Sequence, residues 1–295
     1  MTAASPLMPA LFVGIWATGF LVARLVAQHA DPLTFLSARM VLSALAFTGL
    51  AAMAGAPWPR GVRGWRDALV AGVLLQGIYL AGVFWSVRHG LPAGISALIT
   101  GLQPLLTALL ALPLLGERVG PRRWAGIALG FGGALLVLQP QLRAVSGVGL
   151  LPALASGAAM VGITLGTIWQ KRTGAAADLR TNAAVQFIGA AAIIIPVAAL
   201  TEAGRFDASW QAWAGLAWAV CGLSLGAISL LLALIRRGAV AGVASLFYLV
   251  PPVVAVLAFI LFGERLVPLQ GLGMVVAVAG VALASRGSSQ QVSRE

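Results

Sequence analysis

The side chains best suited to bind a polar ligand lie inside apolar stretches, where each one must find a partner or water. Ser96, Thr100 and Gln103 follow one another at i, i+4 and i+7, which places them on one face of a helix. Pro104 comes next and removes a backbone donor. This face can bind a ligand or can form hydrogen bonds to neighbouring helices, and the sequence leaves both roles open.

A later apolar stretch has a similar arrangement. Ser245 and Tyr248 lie at i and i+3, and Pro251 and Pro252 follow them. Two consecutive prolines inside a helix should bend or break it, and transporters place such interruptions close to their binding sites. We therefore expect Pro104, Pro251 and Pro252 to act as hinges beside a binding site.

Other candidates are isolated within their stretches. Gln76 and Tyr79 share a helix face at i and i+3, and Trp16 lies too deep for an interfacial anchor. Thr164 is also at mid-depth, although a threonine can bond to its own helix backbone. The residues expected to bind substrate are Trp16, Gln76, Tyr79, Ser96, Thr100, Gln103, Thr164, Ser245 and Tyr248.

Arg39 is the one cation well inside an apolar stretch. It can contact a substrate carboxylate or form a structural bond to backbone carbonyls, and the sequence favours the structural role. If the cargo is an amino acid, its aromatic side chain would suit a pocket bearing Trp16, Tyr79 and Tyr248. Aromatic pairs contribute about 0.5–1.5 kcal/mol beyond burial.

The composition indicates an all-α integral membrane protein. Hydrophobic residues make up 60% of the 295 and charged residues 9%, whereas a soluble domain is about a quarter charged. Charges, Pro and Gly separate ten apolar stretches of membrane-spanning length. They cover about 8–28, 33–53, 67–87, 91–113, 122–139, 148–169, 181–201, 213–235, 239–262 and 268–285.

The carboxylates argue against several functions. All of them fall in loops, at span ends or in the tail: Asp31, Asp67, Glu117, Asp178, Glu202, Asp207, Glu264 and Glu295. No catalytic or metal-binding constellation can be assembled at one depth, so we expect neither an enzyme, nor a metal, nor a cofactor. A mid-membrane carboxylate that couples transport to protons is also missing, which favours facilitated transport down a gradient.

The basic residues predict the orientation. Thirteen Arg and Lys residues fall on one side of the predicted spans and five on the other. The richer side should be cytoplasmic, and ten spans then place both termini there. The net charge of +11 is thereby explained without nucleic acid as a partner.

The chain contains an internal repeat. Gly116-Glu117-Arg118 recurs as residues 263–265, and Pro121 recurs as Pro268. Each half holds five spans, an odd number, so the second copy should be inverted, as in many secondary transporters. We expect one five-helix repeat over 1–143, an inverted one over 144–286, and a disordered cytoplasmic tail over 287–295. Each Gly-Glu-Arg should form a turn between helices, although a gating role for its charges stays open.

Ten spans in two halves, with Gly-Glu-Arg closing the fourth and ninth, resemble the drug/metabolite transporter superfamily, EamA type. Within it the chain is similar to the YddG-type exporters of aromatic amino acids. The resemblance implies a bacterial inner-membrane exporter. Its central cavity would be lined mainly by spans one, three, four, six, eight and nine.

The leading hypothesis is a secondary transporter that exports amino acids, with aromatic or apolar ones favoured, by alternating access. The same fold could instead export sugars, nucleosides or drugs, and a membrane scaffold is a third alternative. The partners expected are a small-molecule substrate and the lipid bilayer, and the protein should be a monomer or weak homodimer.

Overall fold

The protein is built from helices. The computed structural model describes residues 7–143, 149–174, 177–237, 240–262 and 267–286. Within these ranges, extended pairing is limited to an isolated bridge between Ala30 and Phe206. The predicted all-α class is confirmed.

Ten long helical segments follow one another in the described ranges. They are α1 Leu7–Val26, α2 Pro32–Met53, α3 Gly61–Arg88, α4 Ala93–Leu115, α5 Pro121–Arg143, α6 Leu150–Thr173, α7 Leu179–Thr201, α8 210–237, α9 240–262 and α10 Pro268–Arg286. Among these residues, eight stretches are long and apolar enough to cross a membrane, and Pro268–Ala284 in α10 is a shorter apolar one. Helix α5 has 23 residues, enough for about 30 Å of bilayer.

The start of α3 differs from the prediction. The apolar stretch begins at about 67, whereas the helix begins at Gly61. Its first turns are largely exposed and polar, so hydropathy does not detect them. The rings of Trp58 and Trp65 stack beside these turns at 5.9 Å. Asp67 consequently lies in the second turn of the helix.

Equivalent helices in the two halves are interrupted. Helix α3 contains a π-helical segment, Val73–Ile78, and α8 contains a longer one, Ala219–Ile228. Helix α4 is broken between Thr100 and Gln103, and α9 passes through a 3-10 turn, Leu246–Leu249. The third and fourth helices of each half therefore depart from regular α geometry.

Helices α5 and α10 show that the second half is inverted. Gly126 lies against Gly280, and Gly133 lies against Gly273, so the two helices are antiparallel. Gly126 and Gly133 are equivalent in the repeat to Gly273 and Gly280, so an approximate two-fold axis relates the contacts. A methyl group at Gly133 would collide with the backbone of Ala277, which shows why small residues are needed for this close approach.

A second contact between the halves joins α2 and α7. These helices also run antiparallel, with the rings of Phe47 and Phe187 stacked at 5.7 Å. At one end, the loop 27–31 between α1 and α2 lies against the loop after α7, where Asp31 N donates to Arg205 O at 2.9 Å. We call this end of the molecule the first-loop face.

The first Gly-Glu-Arg motif forms a turn, as predicted. Gly116 ends α4 with φ of 72°, a left-handed conformation that favours glycine. Pro121 begins α5 and Pro268 begins α10. The second copy of the motif, residues 263–265, and the predicted tail, 287–295, lie outside the described residues.

Candidate functional site

A small cavity lies between α1, α2, α3 and α8, so both halves form its wall. Three of the predicted residues, Trp16, Arg39 and Tyr79, line it. The other lining residues are Gly19, Phe20, Leu80, Val83, Phe84, Leu223 and Ile228. Helix α2 thus contributes through Arg39, whereas the resemblance to known exporters suggested α4, α6 and α9 in place of α2.

The space inside the cavity is very small. Its volume is about 30 Å³, which is room for about two waters. Trp16 and Tyr79 are buried, with 7% and 3% of their surfaces exposed. The wall must therefore move before a molecule of amino-acid size can enter.

Aromatic side chains form one side of this site. The rings of Trp16 and Tyr79 stack at 5.8 Å with 17° between their planes. Phe247 from α9 meets the Trp16 ring edge-on at 5.3 Å, and Phe12 lies 5.2 Å away along α1. Such arrangements suit the charge distribution of aromatic rings and provide an apolar surface on which a flat side chain can lie.

The polar side of the site is Arg39, which is 2% exposed. Its Nε donates to Ser224 Oγ at 3.1 Å, and Ser224 Oγ donates to Ala219 O at 3.0 Å. The residue bonded to Arg39 is therefore a serine in the π-helical segment of α8. Ser224 is not among the residues that the sequence predicts to bind substrate, since a mid-span serine alone gives no spacing signal.

The two π-helical segments border the cavity from both halves. Tyr79 follows directly after Val73–Ile78, while Leu223 and Ile228 lie within Ala219–Ile228. Widened turns of this kind occur frequently at functional sites. Neither segment contains a proline, so helix-breaking residues in the sequence do not reveal them.

Gln76 lies in the π-helical segment of α3, three residues before Tyr79 and further from the first-loop face. It is fully buried, and neither Oε1 nor Nε2 has a hydrogen-bond partner among the described residues. A buried amide without partners is costly. Gln76 is not among the described residues that line the cavity, so its contact with a ligand requires the site to widen along α3.

Ser96 and Thr100 have partners within the protein. Ser96 Oγ lies 2.8 Å from Ser156 Oγ, which lies 2.9 Å from Ser86 Oγ. Thr100 donates to the carbonyl of Ser96 at 2.9 Å. The buried serines join α3, α4 and α6, so this contact is structural in the described conformation.

Gln103 and Thr164 lie on neighbouring helices but make different contacts. Gln103 Nε2 donates to Thr167 Oγ1 at 3.4 Å, while its Oε1 is buried without a partner in the described part of the chain. Thr164 donates to the backbone carbonyl of Met160 at 2.7 Å. Neither residue lines the central cavity.

The predicted residues of α9 lie apart from the cavity. Tyr248 is fully buried and packs with Ile127 of α5 and Val281 of α10. Ser245 is also buried. The aromatic residue of α9 that contacts Trp16 is Phe247 instead, so the structure does not bring Tyr248 together with Trp16 and Tyr79.

The three prolines stand directly after the interruptions. Pro104 is in the first turn after the break in α4. Pro251 and Pro252 are in the first turn after the 3-10 segment of α9. Prolines are well tolerated in a first helical turn, so they mark where the second half of each helix begins.

An ion pair lies at the first-loop face, outside the cavity. Arg205 bonds to Asp207, with Nη2 and Oδ2 2.6 Å apart, and its backbone N–H donates to Asp31 at 3.0 Å. The Arg205 side chain holds the pKa of Asp207 below its ordinary value. Across the described residues, no group of His, Cys, Asp and Glu is arranged to hold a metal ion.

Comparison with known proteins gives relatives along nearly the whole chain. The protein is 26% identical over 287 residues to a "Probable amino-acid metabolite efflux pump" of Escherichia coli, covering 92% of this chain and 91% of that protein. It is 26% identical over 279 residues to a "Probable terminal-alkyne amino-acid exporter" of Streptantibioticus cattleyicolor, covering 94% and 91%.

Other similarities are partial or concern the fold. A WAT1-related chloroplast protein of Arabidopsis thaliana is 30% identical over 131 residues, which cover 43% of this chain and only 30% of that protein. One solved crystal structure superposes with a TM-score of 0.77, covering 96% of this chain and 98% of its own. At 19% identity, that likeness shows the fold alone.

A family model matches both halves of the chain. The model is described as the EamA-like transporter family, and it matches residues 6–139 and again residues 150–286. Members of this family are transporters rather than enzymes. The two matches fall on α1–α5 and on α6–α10, the two halves that the antiparallel glycine contacts relate. The chain therefore belongs to the EamA-like transporter family and is a multi-pass membrane transporter.

Proposed function

We propose that this protein exports amino acids, with aromatic and apolar ones favoured, through the cavity between its two halves. The observation that carries the proposal is the stacked Trp16–Tyr79 pair in the wall of that cavity. A flat or apolar side chain can lie against these rings, and the backbone of the cargo can then contact Gln76 and Arg39. The named exporters of amino acids among its relatives support the same substrate class.

The proposed mechanism is alternating access. The cavity lies at the junction of the two inverted halves, and in the described conformation it is too small for an amino acid. Rocking of one half against the other would open it first to one face and then to the other. The interruptions before Pro104 and Pro251, together with the π-helical segments, are the places where α3, α4, α8 and α9 can bend.

We further propose that the protein lies in a bacterial inner membrane, as a monomer or weak homodimer, with both termini in the cytoplasm. The excess of Arg and Lys on the side of the termini supports this orientation. The first-loop face is then external. Among the described residues, no carboxylate lines the cavity, so we expect transport to follow the gradient of the cargo.

Substrate counterflow in proteoliposomes tests the proposal. Purified protein is reconstituted, the vesicles are loaded with unlabelled phenylalanine, and entry of labelled phenylalanine is followed with and without a pH gradient. We expect counterflow that does not require the pH gradient. If folded protein moves no member of a full amino-acid panel but moves a sugar or nucleoside, the amino-acid proposal is wrong and the alternative cargo class replaces it.

A further inference from the structure

Arg39 carries a positive charge into the interior of the helix bundle. It is 2% exposed on α2, and its neighbours in the cavity wall include Phe20, Leu80 and Val83. A buried ion is expensive unless an opposite charge or several hydrogen bonds compensate for its lost hydration. The position of Arg39 therefore needs an explanation.

The partners of Arg39 do not supply the opposite charge. In the part of the chain that the structure describes, no carboxylate forms an ion pair with it, and its side-chain hydrogen bond goes from Nε to Ser224 Oγ. Ser224 is neutral and directs its own proton to Ala219 O at 3.0 Å. This bond holds the guanidinium in place without neutralising it.

The donors that remain on Arg39 are those of its two terminal nitrogens, because Nε is engaged by Ser224. A guanidinium can offer parallel N–H groups to the two oxygens of a carboxylate, which gives short charge-assisted bonds. Arg39 also shares the cavity wall with Trp16 and Tyr79. The guanidinium of Arg39 and an aromatic surface therefore line the same cavity.

We infer that Arg39 is the carboxylate-recognition residue of this transporter and that Ser224 positions it. The inference rests on the proposed transport function and adds its chemical requirement: the cargo carries a free carboxylate next to an apolar or aromatic group. A phosphate or sulfate fits less well, because those anions need more donors than one guanidinium provides. Amines and amides of the same shape lack the charge that Arg39 requires.

The test compares three competitors that share the phenylethylamine core: phenylalanine, its amide phenylalaninamide, and phenethylamine, which lacks the carboxyl group. In counterflow with labelled phenylalanine, we expect wild-type protein to prefer the free acid by roughly tenfold or more. Arg39→Gln should reduce phenylalanine flux by roughly tenfold or more as well, and it should remove the preference for the free acid. Arg39→Lys should retain part of the flux and part of the preference, since lysine keeps the charge but loses the paired N–H groups of the guanidinium.

Arg88→Gln is the matched control, because it removes the same charge from an exposed residue outside the cavity. It should keep wild-type flux and selectivity. Ser224→Ala leaves Arg39 in place but unoriented, so we expect a higher KM with a smaller change in maximal flux. Arg39→Gln should unfold at the wild-type temperature or above, because it removes a buried unpaired charge.

The outcomes separate this inference from the proposed function. If wild-type protein transports phenylalanine but Arg39→Gln keeps both flux and the preference for the acid, the inference is wrong and the function stands. If no amino acid is transported, the carboxylate site is tested by thermal unfolding of wild type and Arg39→Gln with added 3-phenylpropionate. Stabilisation of wild type but not of Arg39→Gln supports the carboxylate site, whereas equal responses or no response overturn it.

Discussion

Glu202 Oε2 accepts two hydrogen bonds from Thr34, one from its backbone N–H at 2.7 Å and one from the Thr34 hydroxyl at 2.8 Å. The other carboxylate oxygen accepts from Leu33 N at 2.9 Å. Glu202 follows α7, whereas Leu33 and Thr34 are in the first turn of α2. A residue of one half thus satisfies the free N–H groups of a helix in the other half, where a negative charge is favoured.

Replacing Glu202 should loosen this contact between the halves. We expect Glu202→Ala to lower the free energy of unfolding by about 1–2 kcal/mol, as for other lost N-terminal caps. Thr34→Val removes only the hydroxyl bond and should cost less. Thermal unfolding of the detergent-purified protein measures both, and equal stability of Glu202→Ala and wild type would contradict the proposed cap.

Asp178 provides a pH-dependent contribution at the start of α7. It accepts from Arg180 N at 2.8 Å, and the Arg180 side chain lowers its pKa below the ordinary value of 3.8. A lowered folded-state pKa means that the stabilisation is present above about 3.8 and is lost as the pH falls through the folded value. We expect Asp178→Ala to cost about 1 kcal/mol at pH 7.

The difference between Asp178→Ala and wild type should then shrink as the pH falls below about 3.8, because the wild-type carboxyl becomes protonated. Unfolding midpoints of both proteins at pH 7 and pH 3 measure this change. A gap that stays constant or widens in acid would show that the ion pair with Arg180 is not its source.

The close contact between the backbones of α5 and α10 can be tested by substitution. Gly133→Ala should destabilise the protein by about 1–3 kcal/mol or more, because its methyl group has no space beside α10 and the helices must separate. Gly132→Ala is the matched control, since nothing lies within 4 Å of its added methyl group. Unfolding of the two variants in detergent should differ clearly, and similar stabilities would argue against the close helix contact.

Trp16 tests the aromatic wall of the cavity. We expect Trp16→Ala to lower phenylalanine flux about twofold to tenfold at low substrate concentration, from the loss of an aromatic contact of about 0.5–1.5 kcal/mol. Trp213→Ala removes a ring that is 57% exposed and should leave flux unchanged. Equal effects of the two substitutions on flux would mean that Trp16 contributes only to packing.

Much of the architecture could be predicted from the sequence because it depends on local properties. Hydropathy locates the spans to within a few residues, except at α3, where the helix begins at Gly61 in an exposed polar stretch. The spacing of Gly116, Pro121 and their repeats predicts the duplication. An odd number of spans in each half predicts the inversion, since each span reverses the direction of the chain.

The candidate site was predicted less completely. Trp16, Arg39 and Tyr79 meet at one cavity. The sequence predicts each of them, because each is a polar or aromatic residue at an unusual depth in its span. Ser96 was selected on the same ground, but its hydroxyl is engaged with Ser156 at 2.8 Å. The spacing of polar residues shows which share a helix face, but it does not show what that face contacts.

Composition and order along the chain determined the membrane class, the ten spans and the inverted repeat, because burial in lipid acts on each stretch separately. The tertiary structure alone decided which side chains meet. Phe247 contacts Trp16, whereas its neighbour Tyr248 packs towards α5. Both lie in the 3-10 turn Leu246–Leu249, where each residue turns about 120° from the last, so two adjacent rings in one turn face different parts of the protein.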